Sequence, residues 1–102
     1  RMRALAVTSA KRDPALPNVP TFAELGVGGY DATFWYGMLA PVKTPKEIVE
    51  RLTREVRAAV LDPEIVRAME PQGLVPAPST PEEFRAVIRA DSAKWKKLMT
   101  GK

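Results

Sequence analysis

The chain has 102 residues, of which 45% are apolar and 27% charged, and it carries a formal net charge of +4. These values are typical of one globular domain or part of one. The sequence contains no cysteine and no histidine, which excludes disulfides and removes both the commonest metal ligand and the usual general base at neutral pH. Its longest apolar run, residues 33–42, is too short to span a membrane, which takes roughly 18 or more apolar residues.

The first third of the chain predicts a strand, a loop and a short helical turn. Residues 3–8 contain an apolar run that indicates a strand beginning almost at the first residue, so we expect an excised piece of a longer protein with a signal peptide upstream. A proline-rich loop follows. In TFAELG, Thr21 and Glu24 have the spacing of a capping box, and Gly26 suits the left-handed position that ends a helical turn.

The densest aromatic stretch of the chain is Phe34-Trp35-Tyr36, within residues 30–40. Alternation of side chains leaves neither face of this stretch wholly polar, which predicts a strand covered on both sides. Packing in a core is the interpretation that the residues favour, because exposure of three rings is costly for a small domain. A ring lining a cleft is the alternative.

The last sixty residues predict three capped amphipathic helices. The first begins at Thr44 with Glu47 completing a capping box, the second is capped by Asp62 and stops at Gly73, and the third is capped by Thr80. Glu83 lies at the capping-box position of the third helix. Residues 74–75 indicate a brief edge strand between the second and third helices.

The sequence lacks the usual patterns of catalytic sites. Its glycines at 26–29 follow a helical turn and precede a strand, which is the reverse of a dinucleotide-binding loop. No serine has a histidine to activate it, and the lysines at 94, 96 and 97 suit the end of a helix dipole better than a nucleic-acid surface. We therefore expect an α/β chain with short strands and three amphipathic helices, no enzymatic activity, no cofactor, no metal and no nucleic-acid partner.

Five segments of the chain together resemble one family in order and spacing. They are RALAVTSAKR, LPNVPTFAELG, YDATFWYGMLAPVKTPKEIVERL, LDPEI and STPEEFRAVIRADSAKW. The family is that of the Bug or TctC-type extracytoplasmic solute receptors of tripartite tricarboxylate transporters, and the resemblance covers nearly the whole chain.

This resemblance implies the C-terminal third of a two-lobed, type II-like periplasmic binding protein. Residues 1–29 would end the second lobe, residues 30–40 would cross the hinge, and residues 41–102 would form the helical C-terminal part of the first lobe. Phe34 and Trp35 would then lie near the cleft, where we expect either ring to contact a ligand.

The resemblance also implies a function. The ligand would be a small carboxylate, the partners would be membrane permease subunits or a sensor, and the location would be periplasmic. Apolar surface left uncovered in a fragment predicts association between copies. The alternative from a different class is a small helical protein-interaction module, in which the strands over residues 3–8 and 30–40 would pair with each other.

Overall fold

A computed structural model of the chain describes residues 2–101. The chain divides into two compact units, Arg1–Leu39 and Ala40–Lys102, and each is described by itself. The predicted division differs from this one: it assigns residues 1–29 and 41–102 to two lobes and residues 30–40 to the crossing between them. It stays a prediction.

The strands predicted over residues 3–8, 30–40 and 74–75 do not form within the described residues. In the first unit the backbone makes a single parallel bridge between Val7 and Thr21. Val7 N–H donates to the Pro20 carbonyl at 2.9 Å, and Phe22 N–H donates to the Val7 carbonyl at 3.3 Å. A strand needs a ladder of such bonds to a neighbouring segment, and here the pairing ends after one bridge.

The helical turn predicted at residues 21–26 forms with its predicted capping box. Thr21 N–H donates to Glu24 Oε2 at 2.8 Å, and Glu24 N–H donates to Thr21 Oγ1 at 3.1 Å. Gly26 has φ of 94°, and Val27 N–H reaches back to the Phe22 carbonyl at 3.0 Å. The turn therefore closes as a Schellman motif, for which a glycine in the left-handed region is preferred.

The second unit contains the three predicted helices. They are α1 (Lys46–Val60), α2 (Pro63–Met69) and α3 (Pro81–Thr100), with a 3₁₀ turn at Glu70–Gln72 after α2. Contacts join α2 to α1 and to the 3₁₀ turn. No helix within residues 2–101 has both the length and the apolar character that crossing a membrane requires.

Two of the three predicted helix caps are confirmed. Asp62 accepts from Glu64 N–H and Ile65 N–H at the start of α2, and Thr80 and Glu83 form a complete capping box at the start of α3. The capping box predicted at Thr44 is wrong. α1 begins with Pro45 as its N-cap, and no described side chain caps it.

Apolar burial is the largest difference between prediction and structure. Among the described residues no apolar side chain is buried, and the one buried residue is Thr21, at 3% exposure. The apolar stripes of the helices are also open, as Ile48 and Leu52 on α1 and Trp95 and Leu98 on α3 show. An amphipathic helix is stabilised mainly by packing of its apolar face, and these faces lack that cover within the described chain.

Candidate functional site

The candidate site is the aromatic segment, defined as residues 30–40, and its first residues are held by hydrogen bonds. Ala32 N–H donates to the Thr8 carbonyl at 2.9 Å, and Thr8 Oγ1 lies 3.5 Å from the Ala32 carbonyl. Asp31 Oδ1 accepts from Thr33 N–H at 3.1 Å and from Thr33 Oγ1 at 2.5 Å. These contacts fix the start of the segment against the first residues of the same unit.

Beyond this anchor the rings are exposed to different degrees. Phe34 is 89% exposed and Tyr36 87%, whereas Trp35 is 43% exposed. The interpretation of the cluster as a packed core is therefore wrong for this chain, because no described segment covers Phe34 or Tyr36. The structure places Phe34 and Trp35 side by side on a segment with neither helix nor turn over residues 30–41.

The two predicted ligand-contact residues do not lie in an enclosed cavity. A shallow depression is present elsewhere, on the outside of α1, where it is lined by Glu47, Ile48, Arg51, Leu52 and Glu55. All of its lining comes from one helix, so it offers no converging groups to a small molecule. A contact of Phe34 or Trp35 with a ligand stays a prediction.

An aromatic contact also holds the start of the aromatic segment. The rings of Phe22 and Tyr30 lie 4.7 Å apart between centroids at an interplanar angle of 38°. This separation is within the range of favourable aromatic pairs. The contact joins the capped turn to the first residue of the aromatic segment.

The same turn is fastened to the proline-rich loop by an arginine. Arg12 Nε lies 3.1 Å from Glu24 Oε1 and 3.0 Å from Glu24 Oε2, and Arg12 Nη1 donates to the Pro17 carbonyl at 3.0 Å. Glu24 also accepts from Thr21 N–H. The Glu24 carboxylate thus joins the capped turn to Arg12 in the proline-rich loop. We call Arg12, Thr21 and Glu24 the Glu24 cluster.

The Glu24 cluster favours the ionised form of its carboxylate. The hydrogen bond from Arg12 is the largest influence, and it lowers the pKa of Glu24 below its ordinary value. The hydrogen bond from the Thr21 N–H lowers that pKa further. The cluster is half-exposed, so its electrostatic contribution to stability is modest, and its main role is positional.

The sequence pattern missed two residues that hold the site. Thr21 and Glu24 are three residues apart and follow a known local rule, but Arg12 reaches Glu24 across twelve residues and Thr8 reaches Ala32 across twenty-four. No local spacing rule covers such distances. For the contact between Arg12 and Glu24, the only hint in the sequence was the position of an arginine at the start of the proline-rich loop.

The aromatic segment is suited to binding by ring surfaces and backbone donors. The backbone N–H groups of Phe34, Tyr36, Met38 and Ala40 make no hydrogen bond within the described residues, and residues 32–42 carry no charged side chain. In the part of the chain that the structure covers, no group of acidic residues is arranged to hold a metal ion. The segment can therefore meet an apolar or aromatic surface, a carboxylate that accepts hydrogen bonds, or another strand.

Comparison with known proteins gives consistent matches over nearly the whole chain. The profile of the family described as "TctC: Tripartite tricarboxylate transporter family receptor" matches residues 1–102. The chain is 40% identical to the UPF0065 protein in the tcbD-tcbE intergenic region of Pseudomonas sp. strain P51, over 97% of this chain. It is 35% identical to protein BugT of Bordetella pertussis, over 92% of this chain.

A solved structure also matches the fold. The periplasmic binding protein BugD superposes with a TM-score of 0.78 at 35% sequence identity over 94% of this chain. The match covers 33% of the BugD chain. The chain likewise spans about 30% of the length of the two relatives above.

Proposed function

Because this chain belongs to the family of tripartite tricarboxylate transporter receptors, we propose that it is part of an extracytoplasmic solute-binding receptor. The whole-chain family match is the single observation that carries this proposal. The likeness to BugD, whose title describes a periplasmic binding protein, supports it at the level of the fold.

The ligand of the proposed receptor is a small carboxylate captured for a tripartite tricarboxylate-type secondary transporter. The family description supports this class of solute. The backbone N–H groups of Phe34, Tyr36, Met38 and Ala40, which make no hydrogen bond among the described residues, are suitable donors to a carboxylate. The rings of Phe34 or Trp35 supply apolar contact. In the proposed receptor, residues 1–29 belong to one lobe, residues 41–102 to the other, and residues 30–40 cross between them.

The proposed partners and location follow from membership of the same receptor family. The receptor delivers its ligand to membrane permease subunits, or presents it to a sensor, and it works in the periplasm after removal of a signal peptide. The exposed apolar faces of α1 and α3 favour a chain completed by further polypeptide, because an apolar stripe is stabilised when it is packed. The relatives, more than three times as long as the matched region, are consistent with such a completion.

A thermal-shift screen of the longer receptor containing this chain tests the ligand class. A bound solute raises the melting temperature by mass action, so we expect di- or tricarboxylates to raise it and their methyl esters, as matched neutral controls, to leave it unchanged. If no carboxylate stabilises the receptor, the ligand class is wrong. If instead a protein partner binds and no solute does, the helical interaction module is the better function.

Single ring variants of the same receptor test the site. Phe34 is 89% exposed and Trp35 43%, so the two rings have different surroundings, and we expect one of Phe34→Ala and Trp35→Ala to weaken ligand binding by about tenfold or more. The other should have a smaller effect. Leu16→Ala, in the proline-rich loop, is the control and should leave the affinity unchanged. Wild-type affinity in both ring variants would remove these residues from the site without affecting the receptor assignment.

A further inference from the structure

Two contacts join the start of the aromatic segment to other parts of the first unit. The ring of Tyr30 lies 4.7 Å from the ring of Phe22 between centroids, and Ala32 N–H donates to the Thr8 carbonyl at 2.9 Å. Phe22 belongs to the capped turn, and Thr8 lies among the first residues of the chain. The segment is therefore held once through side chains and once through the backbone.

The two parts of the unit that make these contacts are themselves linked. Val7 N–H donates to the Pro20 carbonyl at 2.9 Å, and Phe22 N–H donates to the Val7 carbonyl at 3.3 Å. Thr8 directly follows Val7, so the bridge between Val7 and Thr21 restrains Thr8 relative to the capped turn. Thr21 is 3% exposed. Both contacts of the segment thus lead to the neighbourhood of the most shielded of the described residues.

The restraints extend to the residue before the candidate ligand contacts. Asp31 Oδ1 accepts from Thr33 N–H at 3.1 Å and from Thr33 Oγ1 at 2.5 Å, which fixes the backbone over residues 31–33. Consecutive Cα atoms are about 3.8 Å apart, so the Cα atom of Phe34 lies about 4 Å from a restrained residue and that of Trp35 within about 8 Å. A displacement at the start of the segment therefore moves both rings.

We propose that the Phe22–Tyr30 ring pair positions the aromatic segment, and that Phe22 is thereby a positioning residue for the ligand contact at Phe34 or Trp35. The second part of this proposal rests on the proposed function. Phe22 lies outside the segment, so its substitution leaves every group of the candidate site chemically unchanged. It acts on affinity through the fraction of molecules in which the segment holds its binding position.

The strength of the ring pair limits the size of the effect. Its centroid distance is in the favourable range for aromatic pairs, and removal of one ring from such a pair changes an equilibrium by about twofold to tenfold. A positioning contact cannot lower affinity by more than this factor, because it contributes only to the population of the binding position. Removal of a ring that touches the ligand has no such limit.

Nuclear magnetic resonance of this chain tests the positioning without a ligand. The sequence contains two tryptophans, Trp35 and Trp95, so the indole N–H region holds two signals, which a Trp95→Phe variant assigns. Trp35 is 43% exposed, and the signal of a partly covered ring responds to a change in its surroundings. Phe22→Leu keeps an apolar side chain and removes the ring pair. We expect it to shift the Trp35 signal by more than its linewidth.

Two further variants separate the ring pair from general effects of substitution. Tyr30→Phe keeps both rings and removes only the hydroxyl group. Leu25→Ala shortens a side chain of the same turn, 57% exposed, and also keeps both rings. We expect both variants to leave the Trp35 signal in place. An unmoved Trp35 signal in Phe22→Leu, or equal shifts in Phe22→Leu and Leu25→Ala, would overturn the proposal.

The longer receptor containing this chain tests the consequence for binding, with the di- or tricarboxylate that gives the largest thermal shift as the probe. By titration calorimetry we expect Phe22→Leu and Tyr30→Leu each to weaken binding by about twofold to tenfold, and Tyr30→Phe to keep the wild-type affinity. The double variant should bind no more weakly than either single one, because both remove the same contact.

The outcomes distinguish this proposal from the proposed function. Wild-type affinity in both leucine variants, or additive losses in the double variant, would overturn the positioning role and leave the receptor assignment intact. If no carboxylate binds the receptor while Phe22→Leu still shifts the Trp35 signal, the ligand class is wrong and the ring pair nevertheless positions the segment.

Discussion

At the scale of single residues, the Glu24 cluster joins the proline-rich loop to the capped turn, in a unit with no buried apolar side chain among its described residues. Its carboxylate accepts from the backbone of Thr21 and from the guanidinium of Arg12, which also reaches Pro17. The Nε–H group of Arg12 is shared between both carboxylate oxygens, and hydrogen bonds between charged groups are stronger than those between neutral ones. In a chain without buried apolar side chains among its described residues, such contacts determine the path of the loop.

We predict that Arg12→Ala raises the pKa of Glu24 toward its ordinary value, because the arginine hydrogen bond is the largest cause of the lowered pKa. The pKa is depressed in the folded chain. The contribution of Glu24 to stability is therefore complete above its unfolded-state pKa and is lost as the pH falls through its folded-state pKa. Carboxyl chemical shifts measured by NMR across an acid titration give the pKa directly.

Glu83 is the internal control for this titration. Its pKa is also lowered, mainly by the hydrogen bond from the Thr80 N–H, and Arg12 is not among the causes. Arg12→Ala should therefore move the titration of Glu24 and leave that of Glu83 in place. An unchanged Glu24 titration in the variant would show that the arginine does not govern this carboxylate.

At the scale of elements, the helices could be predicted from sequence and the strands could not. Helix signals are local: Asp62 caps α2 and Thr80 caps α3 through residues two or three positions away. A strand depends on a partner segment, and the pattern of residues 30–40 carries no information about whether that partner is present. The error at Thr44 is small, because α1 starts one residue later than predicted.

We predict that Thr80→Ala lowers the helicity of a peptide covering residues 79–102, as measured by far-UV circular dichroism. The threonine hydroxyl accepts from Glu83 N–H at 3.2 Å, and loss of an N-cap threonine costs about 1 kcal/mol. Ser92→Ala, in the middle of α3, is the matched control. It should keep or raise the helicity, because alanine has the higher helix propensity. Equal helicity in Thr80→Ala and the wild-type peptide would contradict a role for the cap.

At the scale of the whole molecule, the sequence named the residues of the candidate site, but it did not predict how exposed they are. The sequence predicted Phe34 and Trp35 on a strand, whereas residues 30–41 form no regular element. The interpretation of that segment as core assumed that the chain contains what covers it. Burial depends on surfaces distant in sequence, as the exposure of Phe34 and Tyr36 shows. The relatives' greater length indicates where such surfaces are available in this family.

The absence of buried apolar side chains in residues 2–101 leads to a prediction about thermal unfolding. Exposure of apolar surface gives an ordinary domain of about 100 residues a heat-capacity change of about 1.2–1.5 kcal/mol/K on unfolding, with an enthalpy of about 60–80 kcal/mol. Most large apolar side chains of the described residues are already more than 40% exposed, so unfolding of this chain exposes less apolar surface than unfolding of an ordinary domain. We therefore expect calorimetry of the dilute monomer to show a broad transition, with both values well below these.

The longer receptor containing the same sequence is the control for this measurement. If further polypeptide covers the apolar faces of α1 and α3 there, the receptor should unfold cooperatively with a heat-capacity change in proportion to its length. A sharp transition of full size in the isolated chain would contradict the prediction, because it would require a packed apolar interior.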